Sequence, residues 1–77
     1  MIVVDAVKKF VRGENGDERK FVSFSEVRPL VEGKPVIVQM EDYAVSFDPH
    51  GGIVFYDEGV NHELRRRAVI KWRKIFR

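Results

Sequence analysis

Cysteine is absent from this 77-residue chain, and so is threonine. Without cysteine there is neither a disulfide framework nor a thiolate metal site, so a domain this small depends on packing, a partner or self-association. A homodimer is one way to meet that need. Long hydrophobic runs are also missing. The opening MIVVDAVKKF has three consecutive apolar residues between Met1 and Asp5, and no later run approaches the roughly 18 residues of a spanning helix. No membrane span is expected, and the cytoplasm is the default location. Labile amides are scarce, with Gln39, Asn15 and Asn61 the whole inventory, while Val, Glu, Arg and Lys are frequent. Thermophile proteins tend to show that balance, which bears on source rather than function.

What is present is the material of a folded protein. Apolar residues make up 44% of the chain, and six Phe, two Tyr and one Trp supply large side chains for a core. The length permits one domain, residues 1–77, which buries only about 60% of its unfolded surface. Charges alternate in sign over most of the chain, against disorder.

That alternation stops at Asn61. Residues 1–61 carry seven cations against eleven acids, whereas residues 62–77 carry Arg65, Arg66, Arg67, Lys71, Arg73, Lys74 and Arg77 against Glu63 alone. The modest formal net charge of +2 conceals two oppositely charged parts.

The acidic part reads as hairpins. FVRGENGDERKFVSF has Asn15-Gly16 at its centre, the pair best suited to a two-residue turn, and closure there would set Phe10 opposite Phe21. YAVSF and IVFYD flank DPHGG. A five-residue loop between Phe47 and Ile53 would place Tyr43, Val45, Phe47, Ile53 and Phe55 on one face. Between these, Ser25 to Gly33 predicts a short or irregular helix capped by Ser25 and ended by Gly33, since Pro29 is tolerated only near a helix start. Val36 to Met40 predicts a strand, and Glu41-Asp42 a turn into Tyr43.

From an Asn61 cap, the last sixteen residues contain no Gly or Pro. At 100° per residue, Val60, Leu64, Ala68, Val69, Trp72, Ile75 and Phe76 share one half of the wheel. Arg66, Arg67, Arg73, Lys74 and Arg77 take the other half, with Ile70 among them, while Arg65 and Lys71 lie inside the apolar arc and must snorkel outward. A strand is the competing assignment, because Ala68, Ile70, Trp72 and Phe76 alternate with Val69, Lys71, Arg73, Ile75 and Arg77. Length without a breaker favours helix. The expected fold is α+β: an antiparallel sheet of four or five strands built from hairpins, with a basic amphipathic C-terminal helix packed on one face. A small β-barrel with a C-terminal helix or strand is the alternative.

The charge pattern carries the functional reading. Arg65, Arg66, Arg67, Lys71, Arg73, Lys74 and Arg77 form a candidate nucleic-acid-binding set, since each neutralised phosphate releases counterions and arginine contacts phosphate bidentately. The bland reading is a solvated face helped by the helix dipole, or neutralised by the acidic part of the same molecule or a second copy. The other functional reading is a protein-interaction module, an inhibitor or assembly subunit, that presents the basic set to an acidic protein surface. Accessory proteins of viruses and other mobile elements are often modules of this size. A membrane-surface anchor would use Trp72, Ile75 and Phe76, but the sheet needs them as cover.

Other chemistries find little support. His50, Asp57, Glu58, His62 and Glu63 include metal-binding residue types, yet His50 sits in the loop and the others lie four or more residues along the strand, roughly 14 Å away. Ser23, Ser25 and Ser46 have no histidine spaced as a base, adjacent carboxylates suit turns, and the glycines match no phosphate-binding loop. KFVSF lacks the glycine and the preceding aromatic strand of base-stacking RNA-recognition sheets, so Phe21 and Phe24 read as packing residues. No enzyme activity, cofactor or metal is expected.

Overall fold

Strands form where β-branched and aromatic residues recur at every second position. The computed structural model describes residues 1–76, and Arg77 lies outside the described residues. The strands are β1 (Ile2–Asp5), β2 (Phe10–Arg12), β3 (Glu18–Lys20), β4 (Val36–Gln39), β5 (Ala44–Phe47) and β6 (Ile53–Tyr56). A 3-10 turn, Phe24–Val27, runs into the short helix α1 (Arg28–Val31), and α2 spans His62–Phe76. The sheet order is β3-β2-β1-β4-β5-β6, antiparallel at every step except β1 with β4, which is parallel.

The fold is therefore α+β with a C-terminal helix, but the expected four or five antiparallel strands are corrected to six in a mixed sheet. The additional strand is IVVD. Its parallel partner lies 34 residues away, so no turn between them announces the pairing. The sheet is open, with β3 and β6 as its edges, rather than a closed barrel. In chain order, three strands and a helix occur twice.

Ile2, Val4, Val11, Val36, Val38, Val45 and Phe47 alternate with less buried residues and form the inner face. Val27 and Val31 cover it from the first helical segment, and Ala68, Trp72 and Ile75 from α2. Trp72 stacks on Phe47 with ring centroids 5.1 Å apart, and Phe76 tilts against it at 4.3 Å. Each fully buried side chain of this size stabilises by about 1.5–3 kcal/mol relative to exposure. No helix among the described residues is long and apolar enough to cross a membrane.

Two hairpin expectations need correction in register. Phe10 pairs with Lys20, not Phe21, because three residues rather than two close the β2–β3 turn. Gly13 N–H donates to the Asp17 carbonyl at 2.8 Å, and Gly16 takes a φ of 88°. This is the three-residue turn whose last position needs a left-handed residue. In the β5–β6 hairpin Phe47 faces Ile53 as expected, but a bulge then sets Ser46 against Phe55 and Val45 against Tyr56. Phe55 thereby leaves the inner-face set and joins the outer face.

The DPHGG loop explains itself. Asp48 Oδ1 accepts from His50 N–H at 2.8 Å and Gly52 N–H at 2.9 Å, and these bonds, Gly52's foremost, hold its carboxyl below the ordinary range. Gly51 has a φ of 87°, and a Cβ there would lie 2.5 Å from Trp72 Nε1. Gly51→Ala is expected to destabilise the domain by about 2–4 kcal/mol, combining left-handed strain with displacement of the indole. Urea unfolding measures this as a lowered midpoint at unchanged slope.

Helix starts follow side-chain caps. Ser23, not the expected Ser25, caps the first segment: its Oγ accepts from Ser25 N–H at 3.3 Å, while Glu26 Oε2 accepts from Ser23 N–H at 2.6 Å. That reciprocal pair is a capping box. The segment is short and irregular as expected, with Pro29 in the first turn of α1 and Gly33 beyond its end at a φ of 76°. Asn61 Oδ1 accepts from Leu64 N–H at 3.0 Å and starts α2, deciding helix over strand for the C-terminal segment. Arg28 Nε donates to the Ile75 carbonyl at 3.0 Å, tying the last turn of α2 to α1.

Candidate nucleic-acid interface

Packing one face of α2 on the sheet turns the opposite face to solvent. Ala68, Trp72 and Ile75 are buried, whereas Arg66, Arg67, Arg73 and Lys74 are exposed with Ile70 among them. The seven sequence-predicted residues do not act alike. Arg66, Arg73 and Lys74 have no carboxylate in salt-bridge contact among the described residues. Arg67 does, pairing one turn back with Glu63 at 3.3 Å. A groove of about 450 Å³ beside it brings Glu41 and Asp42 of the β4–β5 turn near the same side of α2. Part of the basic set is thus balanced within the molecule.

Arg65 and Lys71 occupy the two flanks of α2, where their stems cover apolar surface. The Arg65 guanidinium lies 5.1 Å from the Tyr56 ring centroid, and its Nη1 donates to Tyr56 Oη at 3.3 Å. Its Nε is buried without a hydrogen-bond partner. Arg65 is therefore committed to β6 and is not part of the exposed ridge. Arg77 lies outside the described residues.

Lys71, on the other flank, belongs to a cluster that the sequence did not reveal. Its Nζ lies 5.6 Å from the Phe24 ring centroid, and Lys9 Nζ lies 6.0 Å from the same ring. Phe24 itself meets Phe21 edge-on at 5.2 Å, so it is a packing residue as read from the sequence. Burial pushes the Lys71 ammonium below its ordinary range, and the positive charges of Lys74 and Lys9 push it further. Three lysines from two distant parts of the chain thus share one electrostatic neighbourhood. Among the described residues no carboxylate is in salt-bridge contact with any of them.

The backbone at Lys9 is set by the turn between β1 and β2. Asp5 Oδ1 accepts from Val7 N–H at 3.0 Å and Lys8 N–H at 2.8 Å, and the Asp5 carbonyl accepts from Lys9 N–H at 3.0 Å. The Lys9 carbonyl in turn accepts from Phe21 N–H at 3.0 Å. Held at both ends, Lys9 adopts a φ of 56°, unusual for a residue with a side chain. Only the Lys8-Lys9 pair was visible in the sequence. Its approach to Lys71 depends on the tertiary fold.

Tyr43 anchors the same side of α2. Its Oη donates to the Leu64 carbonyl at 3.1 Å, and burial raises its pKa despite the nearby Arg67 charge. Among the described residues no group of three or more His, Asp or Glu side chains is placed to hold a metal ion. Compared with known families, curated proteins and solved structures, the chain matches none.

Proposed function

We propose that the protein is a small non-enzymatic module that binds nucleic acid through its phosphates with little sequence specificity. The observation that carries this reading is the convergence of Lys9, Lys71 and Lys74 on one flank of α2, with Arg66 and Arg73 exposed elsewhere on the same helix and none of the five in salt-bridge contact with a carboxylate among the described residues. Like charges held together this way destabilise the free protein, and a phosphate relieves the repulsion while releasing counterions. Low specificity follows from composition: α2 presents arginine and lysine but no Asn or Gln, the side chains that read adenine bidentately.

Fluorescence anisotropy of labelled duplex DNA, single-stranded DNA and RNA across a salt series tests the reading. Five such cations predict a slope of log affinity against log salt of about −4.5 on duplex. Absence of binding to all three probes at low salt would overturn it. Lys71→Met is a sharper variant, because methionine keeps the stem over Phe24 and removes the charge. Its affinity is expected to fall and its slope to shrink by about one.

Stability should move the other way. A lysine with a depressed folded pKa binds its proton less tightly in the folded state than in the unfolded one. Charged Lys71 therefore lowers stability at neutral pH, and stability recovers as pH rises through the depressed value toward the ordinary value of about 10.4. Lys71→Met is expected to match or exceed the parent in thermal unfolding at pH 7 and to lose that alkaline recovery.

A further inference from the structure

One apolar residue stands where the solvent face of α2 is otherwise charged. Ile70 is exposed at 43%, and it lies two residues from both Ala68 and Trp72, which are buried against the sheet. At 100° per residue that places it about 160° from each, close to the outermost line of the helix. Ile70 belongs to neither the buried core nor the half-buried residues packed against it. The cations of this face are ordered about the same line. Arg66 and Arg73 lie about 40–60° to one side of Ile70, and Arg67 and Lys74 about 40–60° to the other, all four exposed. Two cationic rows flank one aliphatic crest.

Given that the protein binds nucleic acid as proposed, we infer that α2 enters the major groove of B-form duplex DNA, with Ile70 on the base edges against the C5-methyl of thymine. The dimensions agree. A helix with its side chains is about 10–12 Å across and the groove about 12 Å wide, so the two rows reach the phosphates of opposite strands. The crest then faces bases rather than backbone. Among the groups that base pairs present there, the thymine methyl is the apolar one, and an aliphatic side chain gains by covering it. One methyl contact confers a preference for thymine-containing duplex, not a defined site.

Two other nucleic acids suit this face poorly. The major groove of an RNA duplex is too deep and narrow for side chains to read. A single strand offers one backbone for two cationic rows, and its bases are held by stacking on aromatic rings. The exposed face of α2 has none, since Trp72 is buried and Phe76 packs against it.

Acids decide which part of α2 goes in. Glu63 pairs with Arg67, and Glu41 and Asp42 border the groove beside it. Residues 68–76 of α2 include no acid. The turn formed by residues 70–74 is therefore the part that enters deepest.

Anisotropy with a short alternating A·T duplex, the same duplex with uracil in place of thymine, and the corresponding RNA duplex tests the placement. Uracil removes the methyl and leaves the phosphates and the minor groove as they were. Burying one methyl changes affinity about fourfold, so the thymine duplex is expected to bind about four times more tightly than the uracil one. The RNA duplex is expected to bind more weakly than either. Ile70→Ser keeps about the same helix propensity and removes the aliphatic surface. It is expected to bring the thymine-to-uracil ratio to about one while the salt slope stays unchanged, because no cation is lost. Equal affinity for thymine and uracil duplexes, an RNA duplex bound as tightly as DNA, or a ratio that survives Ile70→Ser would each overturn the major-groove placement and leave phosphate binding standing. Absence of binding to every duplex at low salt would overturn both.

Discussion

Replacing Arg66, Arg73 and Lys74 together by glutamate is expected to lower affinity for duplex DNA by about 500-fold at 0.1 M salt. At that concentration each lost phosphate contact removes about 0.9 log units of counterion-release free energy, and three contacts compound. Added repulsion from three carboxylates can only enlarge the loss. All three residues are exposed, so the core is untouched. Acids at positions 73 and 74 do oppose the helix dipole, at a cost of about 0.3–1 kcal/mol each. The glutamine version of the triple variant avoids that cost and is expected to show most of the same loss. Anisotropy titration checks affinity, and circular dichroism at 222 nm verifies that α2 persists. A folded triple variant that binds as tightly as the parent would refute the basic-face reading.

Trp72→Ala is expected to have the largest effect on stability. Trp72 is the one tryptophan, it is buried, and it joins Phe47, Phe76 and the Gly51 turn in a single contact group. Truncating such a residue costs about 3–5 kcal/mol. A domain of this length has about 4–11 kcal/mol of stability in all. The melting temperature should fall by at least about 12 °C, at 4–8 °C per kcal/mol. Helical ellipticity against temperature measures it. Trp72→Phe, which keeps the ring on Phe47, should lose much less. A melting temperature within a few degrees of the parent for Trp72→Ala would show that α2 is not held by this contact group.

The difference between what could and could not be read in the sequence lies in range. α2 was legible because its signals are local: a cap at Asn61, fifteen residues without a breaker, and apolar residues at helical spacing. The Phe47–Ile53 pairing was legible because DPHGG fixes its own turn. The capping box at Ser23 and Glu26 also lay in plain view, three residues apart, and competed with Ser25. The β2–β3 register turned on whether Gly13 and Asp17 pair across a three-residue turn, a difference of one residue within a glycine-rich loop. By contrast, β1 beside β4 and Lys9 beside Lys71 are products of tertiary assembly, and neither spacing nor composition encodes them locally. The same holds for the exposure of β6. An apolar run reads as core until the strand order leaves it at an edge.

The parallel ladder at the centre of the sheet also governs the order of assembly. Four of the five strand pairings join neighbours along the chain, but Ile2 must find Val36 across 34 residues. Closing that span costs about 3 kcal/mol of chain entropy beyond a constant, against about 1.6 kcal/mol for a loop of about six residues. Each three-strand meander can therefore form on its own, in microseconds, while exposing one unsatisfied strand, β1 or β4. Folding waits for those two strands to meet. The chain behaves as two local halves whose rate of joining sets the speed of the whole, and the covering helix condenses onto a sheet that exists only after they do.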